Sequence, residues 1–183
     1  MPHLRSLPDD ARLLHVFRDY PATSRPLLAY HEALMRGPSP LSVAERELIA
    51  AYVSGLNQCR YCHGVHTAAA EAFGIEPGRL ADLLVDLEGA ATDPKLIPLL
   101  RYVHKLTLTP SRISTADAGA VYAAGWDEQA LHDAVSVCAL FNLMNRLVDG
   151  LGITADRAYF DEAGMRLLHK GYQGLIDMLD QNA

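Results

Sequence analysis

The stretch NQCRYCHGVH at residues 57–66 is the part of this chain from which the rest can be interpreted. It places two cysteines three positions apart and a histidine four positions after the second. The alanine-rich segment that follows has no proline before Pro77, and alanine is the strongest helix former. We therefore predict a helix from Cys59 to Phe73, with Cys59 in its first turn, after a break at Gly55 and Asn57.

This helix places three chemically active side chains on one face. Residues three and four positions apart are neighbours on a helix, so Cys59, Cys62 and His66 form one stripe, which His63 borders. A thiol at a helix start is favoured as its thiolate by the helix dipole, and a nearby imidazole can take its proton. These are the components of a dithiol redox site.

Two simpler interpretations of the cysteine pair compete with a redox site. The pair could be buried and unreactive, or it could bind zinc. Structural zinc usually takes four nitrogen or sulfur ligands, often from two Cys-x-x-Cys motifs. Only one such motif exists here, and the third cysteine, Cys138, lies in an apolar run typical of a core. We therefore predict no metal and no cofactor.

The segment before the motif predicts a second helix, from Ser42 to Leu56. Ser42 and Glu45 have the spacing of a capping box, in which each side chain bonds the other residue's backbone N–H. Apolar residues recur at helical spacing from Leu48 onward. Glu47 lies at the edge of that apolar face, and taken alone it has the pattern of a surface carboxylate.

Length and composition indicate one folded domain. The chain has 183 residues and half of them are hydrophobic, which is enough for a sizeable core. No stretch has the pattern of a β-strand, so the predicted fold class is all-α. Within a single domain of residues 1–183 we distinguish an N-terminal arm (1–25), a helical core (26–160) and a C-terminal helix (161–183).

Charge and cysteine content exclude several classes of function. The net charge is −6 and the pI is near 5.7, whereas proteins that bind nucleic acid without sequence preference are usually basic. No apolar run approaches the roughly 18 residues needed to span a membrane. The N-terminus lacks the apolar region of a signal peptide, and three cysteines do not make a secreted disulfide framework. We expect a cytoplasmic protein that binds neither nucleic acid nor membrane.

The longest predicted helix runs from Asp127 to Val148 and is hydrophobic almost all round. That composition predicts a helix buried at the centre of the fold. Asn142, Asn145 and Arg146 are the polar residues near its end, and buried polar groups need hydrogen-bond partners. The simplest expectation is hydrogen bonding at the helix end.

The run from Glu47 to His66 resembles the alkyl hydroperoxidase D-like branch of the carboxymuconolactone decarboxylase superfamily. The motif of that branch is a glutamate, eleven residues, Cys-x-x-Cys, three residues and a histidine. Glu47, Cys59, Cys62 and His66 match it without a gap. The likeness covers about residues 26–160, and it is greatest to members described as peroxidase-related.

The resemblance implies a fold, a mechanism and partners. Two antiparallel helices would form a hairpin that brings Glu47 against Cys59 and His66. Cys62 would attack a hydroperoxide, Cys59 would resolve the product as a disulfide, and Glu47 and His66 would relay protons. A lipoyl-type or thioredoxin-type dithiol would be the reductant. The family also implies a homo-oligomer, whether dimer, trimer or hexamer. One departure is Tyr61, which stands where proven hydroperoxidases carry a second histidine.

The leading interpretation is therefore a cofactor-free thiol peroxidase or disulfide reductase. A decarboxylase or lactone-processing enzyme is the second, suggested by the superfamily name, although members of that branch generally lack the cysteine pair. The third is a protein without enzymatic activity that uses the same disulfide as a redox sensor.

Overall fold

The computed structural model describes residues 1–181, which form ten α-helices with no strand among them. In chain order the helices are α1 (Leu13–Asp19), α2 (Pro21–Arg36), α3 (Val43–Leu56), α4 (Arg60–Ala72), α5 (Arg79–Val85), α6 (Leu96–Leu108), α7 (Thr115–Ala123), α8 (Glu128–Gly150), α9 (Arg157–Lys170) and α10 (Gln173–Asp180). A 3₁₀ turn, Pro110–Arg112, follows α6. The all-α prediction is confirmed for this part of the chain. None of these helices combines the length and hydrophobicity that crossing a membrane requires.

Helix α3 is the central element of the fold. It packs against α2, α4, α5, α6 and α8, and every residue from 46 to 54 is buried. The predicted capping box starts it, because Ser42 N donates to Glu45 Oε2 at 2.7 Å and Glu45 N donates to Ser42 Oγ at 3.2 Å. A helix buried on all sides places Glu47 in the interior, where its side chain is 0% exposed.

A three-residue link, 57–59, turns the chain from α3 into α4. The turn depends on Gln58, whose φ of 59° lies in the left-handed region and ends the helix. The predicted break at Gly55 is wrong, because Gly55 lies inside α3, where a Cβ atom would approach Leu84 Cδ1 to 2.5 Å. Cys59 is the N-cap residue of α4, with extended backbone, and so lies one position before the predicted first turn.

Helix α8 is only partly the buried rod that its composition predicts. Most of its residues face α2, α3, α4, α6 and α7, but one face is open to solvent in the single chain. Leu143 is half exposed on that face, and Ala139 and Arg146 are also exposed. Asp127 caps the helix as predicted, since its carboxylate accepts a hydrogen bond from Ala130 N at 2.8 Å.

The N-terminal region is more helical than predicted. Helix α2 begins at Pro21, a position that suits proline because the first turn has no N–H partner, and Pro26 lies inside the helix. The first residues lie against the end of α8. His3 N donates to Leu151 O at 2.9 Å, and Arg12 Nη1 donates to Thr154 O at 3.1 Å. These two hydrogen bonds hold the segment before α1 against the residues that follow α8.

The predicted single C-terminal helix is two helices, α9 and α10. They are separated at Gly171, whose φ of 57° breaks the first helix. Glu32 on α2 holds the start of α10 in place, because its Oε2 atom accepts hydrogen bonds from Tyr172 N at 2.7 Å and Gln173 N at 3.0 Å. The last two positions of the predicted segment, 182 and 183, lie outside the described residues.

Two glycines allow α4 and α9 to pack closely. A Cβ atom on Gly64 would lie 2.3 Å from the Phe160 ring. A Cβ atom on Gly164 would lie 2.8 Å from the backbone carbon of Ala68 and 2.9 Å from the backbone nitrogen of Ala69. The second contact is the stricter one, because helix backbone cannot rotate aside as a side chain can. The α4–α9 contact holds one wall of the site described below.

Gly164→Ala is therefore expected to destabilise the protein, although alanine is the better helix former. Forcing the two backbones apart in a packed interior costs about 1–3 kcal/mol. Gly119→Ala on α7 is the matched control, since nothing lies within 4 Å of its added Cβ, and it is expected to stabilise by about 0.5–1 kcal/mol. Urea unfolding measures both. Equal effects of the two substitutions would contradict the close-packing argument.

Candidate functional site

The helical hairpin brings together two residues of the predicted site that are 19 positions apart. His66 Nδ1 lies 2.6 Å from Glu47 Oε2, inside the protein. Because a carboxylate oxygen accepts, the Nδ1 atom carries the hydrogen and the Nε2 atom of the neutral ring is left with its lone pair. The arrangement is that of a base oriented by a carboxylate.

Arg36, at the end of α2, completes this group and was not predicted from the sequence. Its Nη2 atom lies 2.7 Å from Glu47 Oε1, an ion-pair contact without hydrogen-bond alignment. The guanidinium also lies over the rings of Phe73 at 5.0 Å and Tyr172 at 5.1 Å. Arg36 therefore supplies a fixed positive charge to a carboxylate that has no contact with solvent.

The electrostatics keep Glu47 ionised. Burial by itself would raise the pKa of Glu47, but His66 and then Arg36 outweigh it, and the pKa lies below its usual value of 4.5. Arg36 supplies a permanent positive charge beside the carboxylate. In its neutral form the His66 ring can act as a proton acceptor.

The two cysteines of the motif are both reduced and both buried, but they differ in access. Cys62 lines a cavity of about 70 Å³, whereas Cys59 does not line it. Cys59 is 0% exposed and Cys62 is 3% exposed. A small molecule in the cavity would therefore meet the sulfur of Cys62.

The environment of Cys62 disfavours its thiolate in the resting protein. Hydrogen bonding with Cys59 and then burial raise the pKa of Cys62 well above its usual value, although a hydrogen bond with Asn145 acts in the opposite direction. A position near the start of α4 therefore does not by itself make Cys62 a thiolate. Deprotonation requires a base, and His66 lines the same cavity.

The expectation of hydrogen bonding at the end of α8 holds only in part, because Arg146 bonds within the helix to Asn142, whereas Asn145 bonds across the fold and Asn142 does both. Asn145 Nδ2 donates to Ser54 Oγ at 2.9 Å, and Asn145 Oδ1 accepts from Asn57 Nδ2 at 2.8 Å. Asn142 Oδ1 also accepts from Asn57 at 3.1 Å, and from Arg146 Nη1 at 3.0 Å. This network fixes the α3–α4 turn, and with it the positions of both thiols.

The cavity at Cys62 is mostly apolar and is built by six elements of the fold. Its volume is several times the roughly 10–15 Å³ that one water molecule needs. The apolar lining residues are Leu13, Leu14, Phe17, Leu28, Val65, Phe141, Met144, Ala163, Leu167 and Leu175. Its polar lining residues besides Cys62 are His31, Tyr61, His66, Tyr159, Arg166 and Tyr172.

Two of these polar residues, His31 and Tyr172, were also missed by the sequence reasoning. His31 Nδ1 lies 2.8 Å from Leu27 O, and its ring packs against Tyr172 at 4.9 Å. Burial lowers the pKa of His31 to about 4, so the ring is neutral near pH 7. A signal existed for His31, because it lies on the buried stripe of α2 with Leu28 and Met35.

Tyr61, which departs from the hydroperoxidase motif, belongs to a second polar contact. Its hydroxyl lies 2.9 Å from the Tyr159 hydroxyl on α9, and burial raises the pKa of Tyr61 well above its usual value. His63 does not replace the missing histidine, because its Nδ1 atom bonds Ala51 O at 2.9 Å and its ring does not line the cavity. The described residues, 1–181, contain no cluster of three or more metal-binding side chains.

Comparisons with known proteins agree with this geometry. Residues 21–105, which include the whole motif, match the family model described as Carboxymuconolactone decarboxylase family. Residues 21–105 therefore resemble a domain of that superfamily. The match covers α2 to most of α6, so α1, α9 and α10, which wall the cavity, lie outside it.

Two solved structures relate the chain to the peroxidase-related branch. One is an uncharacterized peroxidase-related protein from Silicibacter sp. TM1040, with 27% identity, a TM-score of 0.75, and coverage of 81% of this chain and 78% of that chain. The other is described as an alkylhydroperoxidase AhpD core, an uncharacterized peroxidase-related protein from Ralstonia eutropha JMP134. It has 27% identity, a TM-score of 0.74, and coverage of 79% and 76%. No curated protein matches the chain.

Proposed function

We propose that this protein is a thiol peroxidase in which Cys62 and Cys59 cycle between dithiol and disulfide. One observation carries the proposal: Cys62 is the cysteine that lines an apolar cavity, and His66, oriented by Glu47, lines the same cavity. The cavity lining favours an organic hydroperoxide over a charged substrate, because apolar side chains cannot compensate a desolvated charge.

In the first step Cys62 attacks the terminal oxygen of the hydroperoxide. His66 Nε2 accepts the thiol proton, and the thiolate forms an S–O bond as the O–O bond breaks. The sulfur is oxidised to a sulfenic acid, and the peroxide is reduced to an alkoxide. His66 then returns the proton to the alkoxide, which leaves as the alcohol.

In the second step Cys59 attacks the sulfur of the Cys62 sulfenic acid. A disulfide forms, and the sulfenic oxygen leaves as water. An external dithiol of lipoyl or thioredoxin type then reduces the disulfide by exchange, which returns both thiols. No cofactor is required in this cycle.

The superfamily name supports a second candidate, a decarboxylase or lactone-processing enzyme. A variant with both Cys59→Ser and Cys62→Ser separates the two, since a decarboxylase should tolerate the loss of both thiols. A non-catalytic redox sensor would form the disulfide once, without sustained turnover when a dithiol is supplied.

The reduced protein is expected to convert an organic hydroperoxide to its alcohol and to gain a Cys59–Cys62 disulfide. The test is a redox titration with tert-butyl hydroperoxide, followed by mass spectrometry of the intact protein and its peptides. Turnover with dihydrolipoamide or reduced thioredoxin then measures catalysis. If oxidation is no faster than that of free cysteine, the peroxidase proposal is wrong.

Self-association and cytoplasmic location remain predictions. The open face of α8, with Leu143 half exposed, offers apolar surface to a second copy. The dithiol partner also remains a prediction.

A further inference from the structure

The Tyr172 hydroxyl, like Arg166 Nε in the same cavity wall, has no hydrogen-bond partner among the described residues. Tyr172 is 4% exposed, and within residues 1–181 nothing hydrogen-bonds its buried hydroxyl. Leaving a buried hydroxyl unpaired is costly, so such a group in a cavity wall indicates a ligand that pairs with it. Burial raises the pKa of Tyr172 well above its usual value, so the phenol stays protonated and can donate.

His31 provides the complementary group. Its Nδ1 atom bonds Leu27 O, and since a carbonyl only accepts, this nitrogen carries the hydrogen. In the neutral ring the Nε2 atom then has a free lone pair, and no described group bonds it. His31 packs against Tyr172 and, edge to face, against Phe141, whose ring also contacts His66 at 4.4 Å. The cavity therefore has a donor and an acceptor side by side, separate from the His66–Glu47 pair.

We infer that Tyr172 and His31 bind the two oxygens of the hydroperoxide, an inference that rests on the proposed peroxidase function. His31 Nε2 accepts the hydrogen bond of the terminal O–H, the oxygen that Cys62 attacks. The Tyr172 hydroxyl donates to the inner oxygen, which gains negative charge as the O–O bond breaks. In a hydroperoxide the terminal oxygen carries the hydrogen that His31 can accept, and the inner oxygen can accept a hydrogen bond from Tyr172. A dialkyl peroxide has no O–H and so cannot donate to His31.

This assignment gives the two residues different effects on rate. A donor placed at an oxygen that develops negative charge contributes most in the transition state, so Tyr172→Phe is expected to lower the rate constant for tert-butyl hydroperoxide by about 10- to 100-fold. His31 makes a hydrogen bond between neutral groups, so His31→Phe, which keeps a ring against Tyr172, is expected to cost about 3- to 10-fold.

The experiment measures two reactions of each reduced variant. Disulfide formation with tert-butyl hydroperoxide depends on the proposed contacts. Alkylation of Cys62 by iodoacetamide reports access and reactivity of the thiol alone, and in Tyr172→Phe it is expected to stay within about twofold of wild type. The melting temperature of Tyr172→Phe should be unchanged or higher, because the substitution removes an unpaired hydroxyl. Tyr52→Phe is the matched control, a buried tyrosine on α3 outside the cavity.

The outcomes separate this inference from the proposed function. If wild type reacts rapidly with hydroperoxide and Tyr172→Phe does so equally, the function stands and the inference is overturned. If both reactions fall together in Tyr172→Phe, the residue acts through the thiol, and the inference is again overturned. Should wild type react no faster than free cysteine, both fail.

Discussion

We expect Cys62→Ser to lower the rate of the reaction with hydroperoxide by about 1000-fold or more. Cys62 is the thiol that lines the cavity, and serine is far too weak an acid to replace it as a nucleophile. The rate of oxidation of the remaining thiols, followed by mass spectrometry, measures the effect. Cys138→Ser is the matched control, because Cys138 is buried against Thr107 at 3.3 Å, away from the cavity.

The same experiment decides which cysteine attacks and which resolves. Position on the helix favours Cys59, the N-cap residue of α4, and the raised pKa of Cys62 points the same way. Access favours Cys62, and His66 lies one turn further along the same face. We expect access to decide, because a base can remove a proton during the reaction, whereas a thiol outside the cavity cannot reach the peroxide.

The two orders give different products in single variants. Cys59→Ala should leave Cys62 able to react and stall as a sulfenic acid that dimedone traps. Cys62→Ala should leave Cys59 nearly inert. A trapped sulfenic acid on Cys59 in the second variant, with none on Cys62 in the first, would show that the roles are reversed.

The parts of the site that sequence reasoning found are those encoded locally. The capping box at Ser42 fixes the start of α3, and a fixed spacing then relates Glu47 to His66 across one short turn. Within a hairpin of two helices, register follows from the sequence positions alone. Taken without the family motif, Glu47 had the pattern of a surface carboxylate, because one helix cannot show how many neighbours will surround it.

The missed residues share a physical reason. Arg36 and His31 lie on α2 and Tyr172 lies just before α10. The placement of these elements depends on tertiary packing, and no short motif links the three residues to the cysteines. Arg36 has the pattern of an ordinary basic residue at a helix end. The partners of Asn145 were missed for the same reason, since they lie about ninety positions earlier in the chain, at Ser54 and Asn57.

Glu47→Gln is expected to have the second large effect, on both activity and stability. Glu47 orients His66 and stabilises its protonated form, so the loss of the carboxylate should lower the rate of the reaction with peroxide by about 100-fold or more. The substitution also leaves Arg36, 13% exposed, without its counter-charge, and breaking a buried ion pair in this way costs about 3–5 kcal/mol. Peroxide kinetics and urea unfolding at pH 7 measure the two effects. Glu128→Gln, an exposed carboxylate at the start of α8, is the control.

The pH dependence of the free energy of unfolding tests whether the charge of Glu47 is the cause of the stability loss in Glu47→Gln. Since folding lowers the pKa of Glu47, its contribution is complete above about pH 4.5 and is lost as the pH falls through the lowered value. Glu47→Gln should remove that part of the profile. His31 acts in a different window: its pKa falls from 6.5 to about 4, so stability decreases as the pH falls across that range in wild type. Because Glu47 raises the pKa of His31, this decrease should persist in Glu47→Gln and extend to lower pH.

A double variant separates the structural role of Glu47 from its chemical one. If the cost of Glu47→Gln is the unpaired charge of Arg36, then adding Arg36→Gln removes that charge and should recover much of the lost stability. The peroxide rate should stay low, because His66 Nδ1 still faces a neutral amide and its Nε2 atom remains a weaker base. Recovery of the rate together with stability would mean that Glu47 only holds the fold, and that His66 needs no carboxylate to take the proton of Cys62.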